Sequence, residues 1–300
     1  MNNDTATAQR EREFFDTHGY VGPFKLWEPK RMRRFWGEQR RALLDPTTRQ
    51  HATYPGNPLN YDRHLDIPGL RSLVSEPLLA QKASAVLGPD LLCWRTEFFP
   101  KNPGSPGTGW HQVETYTIGD TDKSMLVPTK RVPNQPIELT IWVAFTSSSR
   151  ENGCLRLLPG THHTWRYDEK RPQKHVSELG DVHPGRFSFF GYDYSELKVS
   201  DSWTPEDEVA FNAEMEAGEF VIFTARTVHG SLPNRSRRQR VGFAIRIVPT
   251  HVRVYDGMTE FKEFGEHFDL SRHRCVQILG TDEYKHNRVS TDGYCPDETS

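Results

Sequence analysis

The chain has 300 residues, in which 38 lysines and arginines nearly balance 40 aspartates and glutamates. This length suits one large domain or a core with appendages, and the balanced charge argues against a dedicated nucleic-acid-binding protein. No apolar run is long enough to span a bilayer, and the N-terminus lacks the apolar core of a secretory signal. Four cysteines stand far apart without a CxxC pair. We therefore expect unpaired thiols and a cytoplasmic location.

Residues 1–90 are predicted to be mainly helical. The segment PKRMRRFWGEQRRALL (29–44) has a proline at its start and apolar residues at helical spacing. Residues 68–87 have the same character and precede Gly88, a residue typical of helix ends. The segment between them, 54–64, is predicted to be a loop.

From Leu91 the pattern changes to short segments rich in β-branched and aromatic residues, most of them bounded by Gly, Pro or Asn. The predicted strands are residues 91–100, 110–118, 137–146, 153–159, 219–225 and 240–249. Many short strands without alternating helices favour a mainly β sandwich or barrel. We expect a single domain, 1–300, with a core over 91–250 and a C-terminal extension over 251–300.

Two long connections interrupt the predicted core. Residues 120–136 lie between two strands, and the insert at about 162–216 is longer and rich in aromatic residues. Long insertions in compact β domains often serve as lids or binding loops.

The segment WHQVE (110–114) contains a candidate metal ligand. Alternate residues of a strand share a face, so His111 and Val113 are predicted to point one way and Gln112 and Glu114 the other. A second histidine, His229, falls in a predicted turn between two apolar strands. Arg240 opens the second of these strands.

These residue types fit a non-haem iron site that uses 2-oxoglutarate. Two neutral imidazoles, usually with one carboxylate, hold Fe(II) and leave positions for 2-oxoglutarate and O2. The distal carboxylate of 2-oxoglutarate requires a cation, best a forked guanidinium, which Arg240 would supply. Each signal is weak alone, because a lone strand histidine is more often structural. Together, on a β core, they indicate His111 and His229 as iron ligands.

Seven segments carry a resemblance that extends over most of the chain. They are GYVGPF (19–24), NYDRHLD (60–66), LGPDLLCWRTEFFPK (87–101), GTGWHQVET (107–115), NGCLRLLPGT (152–161), FFGYDY (189–194) and VGFAIRIVP (241–249). In this order they resemble the phytanoyl-CoA hydroxylase-like superfamily. Within it the chain is most similar to the non-haem iron halogenases of nonribosomal peptide pathways, of the syringomycin threonine chlorinase type. The resemblance implies a double-stranded β-helix (jelly-roll, cupin-like) core with N-terminal and flanking α-helices.

The resemblance also assigns roles to individual side chains. It implies that 2-oxoglutarate binds to Arg240, with Trp142 and Thr108 nearby. Thr140 and Arg246 would border a chloride ion. The substrate side would be lined by Phe190, Tyr116 and Glu97. For Trp142 and Phe190, packing in the core is the alternative interpretation.

Val113 is the departure that decides the expected reaction. Hydroxylases of this superfamily carry Asp or Glu two residues after the first histidine, whereas the halogenases have a small residue there, and chloride takes the vacated position. Valine cannot bind a metal, so we expect chlorination of an unactivated aliphatic carbon with Fe(II), 2-oxoglutarate, O2 and chloride. Valine is larger than alanine, but Ala225, where the family tends to have serine, would make room.

Three alternatives remain open from the sequence. The protein is a hydroxylase on a two-histidine iron site, or a non-catalytic binding module, or a bulge turns Glu114 onto the metal. The expected substrate is derived from an amino acid, either free or tethered to a carrier protein, with no nucleic-acid or membrane partner. The densest basic run, Arg235, Arg237, Arg238 and Arg240, is interpreted as a solvated turn, although an acidic carrier protein would suit it.

Overall fold

The computed structural model describes residues 3–48, 61–117, 123–173, 175–176, 191–263 and 266–290. The helices in these residues are α1 (Asn3–His18), α2 (Pro29–Leu44), α3 (Pro68–Val74) and α4 (Pro77–Leu87). The strands are β1 (Tyr20–Lys25), β2 (Leu91–Lys101), β3 (Thr108–His111), β4 (Leu126–Pro128), β5 (Leu139–Ala144), β6 (Leu155–Leu157), β7 (Phe211–Ala213), β8 (Glu219–Phe223), β9 (His229–Ser231), β10 (Arg240–Pro249), β11 (Val252–Val254), β12 (Glu260–Glu263), β13 (Glu266–Asp269) and β14 (Val276–Leu279).

The fold is the expected mainly β, double-stranded β-helix with N-terminal helices. A six-stranded sheet has the order β1-β8-β5-β10-β2-β14, and a four-stranded sheet has the order β3-β9-β6-β7. Neighbouring strands in both sheets are antiparallel. The N-terminal segment thus supplies one edge strand of the larger sheet, β1, and the C-terminal extension supplies the other, β14. The sequence pattern did not predict either.

The larger sheet has two different faces because side chains alternate along its strands. On β5, Ile141 and Val143 belong to the core that packs against α3 and α4 through residues such as Leu73 and Ala83. Trp142, between them, faces the smaller sheet. The larger sheet contributes its functional side chains, described below, from this second face.

The helical part differs from the sequence prediction at one point. Residues 68–87 form two helices instead of one, and α3 ends at Val74. Pro77 opens α4, because a proline ring fits the first turn of a helix but disrupts a helix interior. Helix α2 has the predicted bounds, and α4 ends at Leu87, directly before Gly88, whose φ of 87° suits glycine.

Around the candidate ligands, the strand predictions were wrong in two places. Strand β3 ends at His111, although residues 110–118 were expected to be extended throughout. The buried carboxamide of Gln112 donates to the main-chain oxygens of Thr161, Thr164 and Arg226, and these bonds hold the chain away from the sheet. His229 lies in the short strand β9 and not in a turn. No helix in the described ranges has the length and apolarity needed to cross a membrane.

Candidate active site

A cavity between the two sheets collects the side chains that the sequence singled out. It is lined by ten of the eleven expected residues, namely Glu97, Thr108, His111, Val113, Tyr116, Thr140, Trp142, His229, Arg240 and Arg246. The eleventh, Phe190, lies outside the described residues. Chain segments far apart in sequence therefore converge on one space, as an active site requires.

His111 and His229 face each other across the smaller sheet. They are direct partners in the antiparallel pairing of β3 with β9, and their ring centroids lie 4.1 Å apart. Each Nδ1 atom lies 2.8 Å from the carbonyl oxygen two residues earlier in the chain, at Gly109 and Thr227 respectively. A neutral imidazole that donates from Nδ1 carries its lone pair on Nε2. Both rings are thereby oriented as metal ligands usually are.

The protonation state of the pair agrees with this orientation. Burial lowers the pKa of His111 to about 4. Burial, and then the neighbouring His111, lower the pKa of His229 well below its usual value. Both rings are neutral at physiological pH, the form that can coordinate a cation.

Val113 and Glu114 leave the chain in opposite directions, as alternation predicted. Val113 is buried, lines the cavity, and donates its main-chain N–H to the carbonyl of Ala225 at 3.0 Å. The carboxylate of Glu114 accepts both arms of Arg131, at 2.8 and 3.0 Å, and Arg226 lies 3.6 Å from it. Glu114 does not line the cavity. The geometry therefore contradicts a bulge that would turn Glu114 onto a metal held by the histidines.

No third donor completes the histidine pair within the described ranges. There, no group of three or more His, Cys, Asp or Glu side chains is placed to hold a metal ion. A metal held by His111 and His229 would therefore retain open positions for small ligands, which is the condition for oxygen chemistry at non-haem iron.

Arg240 marks one end of the cavity. Arg240 is 3% exposed, and its guanidinium lies 5.2 Å from the centroid of the Trp142 ring. Its buried Nε atom has no hydrogen-bond partner among the residues that the structure describes. Burial lowers the pKa of Arg240 to about 10. A buried guanidinium without an acceptor is costly unless an anion binds it. The carboxylate of 2-oxoglutarate fits this place.

Thr108 and Ser231 adjoin the Arg240 end, and Ser231 was not predicted from the sequence. The Ser231 hydroxyl donates to Oγ1 of Thr108 at 3.0 Å and accepts from the ammonium of Lys101 at 2.7 Å. Burial, and then Arg240, lower the pKa of Lys101 to about 7. Hydrogen bonds thus hold the polar groups at this end in place and, in the described part of the chain, leave the Nε atom of Arg240 without a partner.

A polar network connects the other expected residues. Arg246 donates to the Tyr116 hydroxyl at 2.6 Å, to Oγ1 of Thr140 at 3.2 Å and to Glu97 at 3.0 Å. Behind them lies the buried Glu138, whose pKa is raised by burial to about 7. Glu138 accepts from the main-chain N–H of Ala225 at 2.6 Å. The network therefore joins the Arg246 end of the cavity to the segment beside Val113.

The sequence interpretation missed four lining residues at the end beyond Arg246. Tyr61, Arg95 and Glu263 line it together, and the ring of Tyr194 stacks on His111 with centroids 4.5 Å apart. Tyr61 and Glu263 are 202 positions apart, yet their side chains are joined by a hydrogen bond of 2.6 Å. Tyr61 and Tyr194 lie in NYDRHLD and FFGYDY, two of the segments that carry the family resemblance. Nothing in the local sequence pattern indicated their contacts.

Comparison with known proteins agrees with this geometry. The model of the family described as phytanoyl-CoA dioxygenase (PhyH) matches residues 15–242. A curated protein of Dictyostelium discoideum, "Phytanoyl-CoA dioxygenase domain-containing protein 1 homolog", is 30% identical over 108 residues. That alignment spans 36% of this chain and only 34% of the relative.

Two solved structures show how far the likeness extends. "CytC3 with Fe(II) and alpha-ketoglutarate" is 34% identical, with a TM-score of 0.70 over 94% of this chain and 92% of that one. The epimerase SnoN from nogalamycin biosynthesis is 19% identical, with a TM-score of 0.58 over 88% of each chain. The second likeness concerns the fold alone.

Proposed function

Because this chain belongs to the phytanoyl-CoA dioxygenase (PhyH) family of Fe(II)/2-oxoglutarate-dependent oxygenases, we propose that it is a halogenase. It would chlorinate an unactivated aliphatic carbon of an amino-acid-derived substrate. The observation that carries the proposal is Val113, an apolar side chain at the cavity-facing position two residues after His111. Glu114, the nearest carboxylate in sequence, is paired with Arg131 on the other side of the chain.

The residues that line the cavity would bind the metal and 2-oxoglutarate. His111 and His229 would hold Fe(II) through their Nε2 atoms. Arg240, lying over Trp142, would bind the distal carboxylate of 2-oxoglutarate through a bidentate contact, with Thr108 alongside. Bound iron, with 2-oxoglutarate and O2, would supply the oxidant that removes a hydrogen atom from the substrate.

Chloride would take the place that a carboxylate has in the hydroxylases. It would supply the missing negative charge and ligand beside Val113, with Thr140 and Arg246 at the border. Ala225 supports placing chloride here, because its carbonyl oxygen accepts a hydrogen bond from the main-chain N–H of Val113. The side chains of Ala225 and Val113 also belong to one buried cluster. A serine at 225 would add a hydroxyl to that crowded place.

Substrate presentation and location belong to the same proposal. The substrate is a small molecule, free or tethered to a carrier protein, whose carbon the cavity walls hold in position, since positioning decides which atom reacts. We place the reaction in the cytoplasm, away from nucleic acid and membranes. The described cysteines, Cys93, Cys154 and Cys275, are buried and free, which suits a reducing compartment.

The direct test is mass spectrometry of products. Anaerobically prepared protein with Fe(II), 2-oxoglutarate and chloride is exposed to O2 with amino acids, both free and loaded on carrier proteins. The proposal expects a product with the isotope pattern of one chlorine, formed only when all four components are present. A product that gains only one oxygen atom under saturating chloride would contradict it.

Val113→Asp tests whether the apolar side chain at position 113 is what permits chlorination. The new carboxylate restores the usual ligand set, so chlorination should disappear, while oxygen insertion persists or increases. Val209→Asp is the matched control, since Val209 is 88% exposed and its replacement should leave the product unchanged. Chlorination that survives Val113→Asp would show that position 113 does not border the halide.

Hydroxylation on the same two-histidine site is the second candidate. It is favoured by the bulk of Val113, which is 6% exposed and has two more carbon atoms than alanine in the space proposed for chloride. Under this alternative, product formation by the unaltered chain is independent of chloride, and Val113→Ala, which removes that bulk, introduces chlorine into the product.

A further inference from the structure

The C-terminal hairpin of β12 and β13 contributes one residue to the end of the cavity beyond Arg246. These strands pair with each other and lie after residue 242, where the match to the PhyH family model ends. Glu263, the last residue of β12, is 6% exposed and lines the cavity. A part of the chain beyond the family match therefore contributes a buried carboxylate to the active-site cavity.

A β-bulge directs a cation into the same place. On β2, Arg95 pairs with Arg246 and Cys93 with Ile247, so Trp94 is an extra residue. Arg95 is 1% exposed and donates from Nε to the Tyr255 hydroxyl at 2.9 Å. Its guanidinium lies 4.2 Å from the centroid of the Tyr61 ring. Arg95 is thus held firmly by neighbours of its own.

In each of two carboxylates, Glu97 and Glu263, one oxygen accepts a hydrogen bond and the other does not. Oε2 of Glu97 accepts from Arg246 at 3.0 Å, and Oε2 of Glu263 accepts from the Tyr61 hydroxyl at 2.6 Å. Among the described residues, the Oε1 atom of neither acid has a hydrogen-bond donor. Both acids are more than nine-tenths buried and line the cavity. Burial raises the pKa of Glu263, Arg95 opposes the rise, and the nearby Glu97 adds to it, so the two carboxylates repel each other.

The charges of these groups indicate which kind of ligand fits this end of the cavity. The guanidinium groups are already engaged, Arg95 with Tyr255 at 2.9 Å and Glu263 at 3.7 Å, and Arg246 with Tyr116 and Glu97. What remains open are acceptor oxygens of two mutually repelling carboxylates. A group with several N–H donors and a positive charge satisfies both oxygens and removes the repulsion, whereas an anion between the two carboxylates would satisfy neither oxygen and would add to the repulsion.

We propose that this end of the cavity binds the ammonium group of the substrate between Glu97 and Glu263. Glu263 is then a specificity-determining residue that the C-terminal hairpin adds to the site. The inference rests on the proposed function, because it names the substrate class of the same cavity as a primary aliphatic amine. Arg240 is about 20 Å along β10 from Arg246 at roughly 3.3 Å per residue. Amine and 2-oxoglutarate would therefore bind at opposite ends.

The test compares n-pentylamine with 1-pentanol, its neutral isostere, by NMR titration of the metal-free full chain at pH 7.5. Omitting the metal prevents the amine from binding to it. We expect the amine to bind at least about tenfold more tightly than the alcohol, because a charge-assisted hydrogen bond is stronger than a neutral one. Equal affinity for the two compounds overturns the proposal whatever any variant does.

Variants locate the preference. Glu263→Gln keeps the shape of the side chain and should reduce the affinity for n-pentylamine about tenfold, with little effect on 1-pentanol. Glu260→Gln is the matched control on the same strand, because Glu260 is exposed and should not alter either affinity. An amine preference that survives unchanged in Glu263→Gln contradicts the assignment of Glu263.

These outcomes are separate from those of the chlorination assay. A chlorinated product without any amine preference would overturn this inference and leave the proposed function standing. An amine preference without chlorinated product would support the ammonium site and contradict the halogenase. Binding of 2-oxoglutarate to Glu263→Gln should equal that of the unaltered chain, because Arg240 lies at the other end.

Discussion

Arg131 holds the carboxylate of Glu114 with both arms of its guanidinium, at 2.8 and 3.0 Å. The pair joins a residue next to Val113 with one in the connection before β5. Its consequence is that the acid nearest in sequence to the first histidine belongs to the structural framework of the site and not to its metal chemistry.

Glu114→Gln should therefore leave Fe(II) binding unchanged. We expect a loss of about 1 kcal/mol in the free energy of unfolding, because Arg131 is half exposed and its ion pair is screened by solvent. Fe(II) titration and urea unfolding measure the two quantities. Glu214→Gln, which breaks the exposed pair with Arg150, is the control and should change neither. A tenfold fall in Fe(II) affinity for Glu114→Gln would mean that Glu114 reaches the metal.

Arg240→Met should separate cofactor binding from folding. We expect the affinity for 2-oxoglutarate to fall at least about a hundredfold, the effect of losing two charge-assisted hydrogen bonds. The ligand-free protein should be equally stable or more stable, because the buried Nε atom of Arg240 has no acceptor. Thermal unfolding with and without 2-oxoglutarate gives both results. The exposed Arg237→Met serves as control, and a marked loss of stability without ligand would refute an unpaired guanidinium.

Gly242→Ala should disturb the Arg240 end through Trp142. A Cβ atom at position 242 would lie 1.9 Å from a ring carbon of Trp142, so the indole that lies beneath Arg240 has to move. Overpacking of this kind costs about 1–3 kcal/mol, and we expect weaker 2-oxoglutarate binding as well. Calorimetry and ligand titration test the two effects. Gly37→Ala on α2 meets no atom within 4 Å and should be neutral or slightly stabilising. Unchanged 2-oxoglutarate affinity in Gly242→Ala would separate Trp142 from the binding site.

Glu138 should give stability an unusual pH dependence. Its pKa, raised by burial to about 7, exceeds the unfolded value of about 4.3. The native state therefore holds an extra proton between these pH values, and the stability linked to it is lost as pH rises through 7. Glu138→Gln mimics the protonated acid. Relative to the unaltered chain it should gain about 3 kcal/mol in unfolding free energy between pH 5 and pH 8. A difference in urea-unfolding free energy that stays constant over this range contradicts the raised pKa.

The sequence by itself determined those helices and strands in which buried apolar residues recur at regular helical or strand spacing. Residues 29–44 have apolar side chains at helical spacing and form α2, and residues 240–249 form β10, both with the predicted bounds. Alternation also predicted that His111 and Val113 point one way and Glu114 the other. His111 and Val113 do line the cavity and Glu114 does not, although β3 already ends at His111. Such features depend on neighbours in the chain and on the two faces of a strand, so a pattern of residue types is sufficient to predict them.

Only the tertiary structure decided which distant groups meet. The bond between Tyr61 and Glu263 joins positions 202 apart, and the side chain of Gln112 ended β3 earlier than its β-like sequence suggested. Arg95 entered the cavity through a bulge that the residue pattern does not reveal. Polar partners of this kind are chosen by the close approach of separate segments in a buried, low-dielectric space, and local periodicity carries no information about that approach.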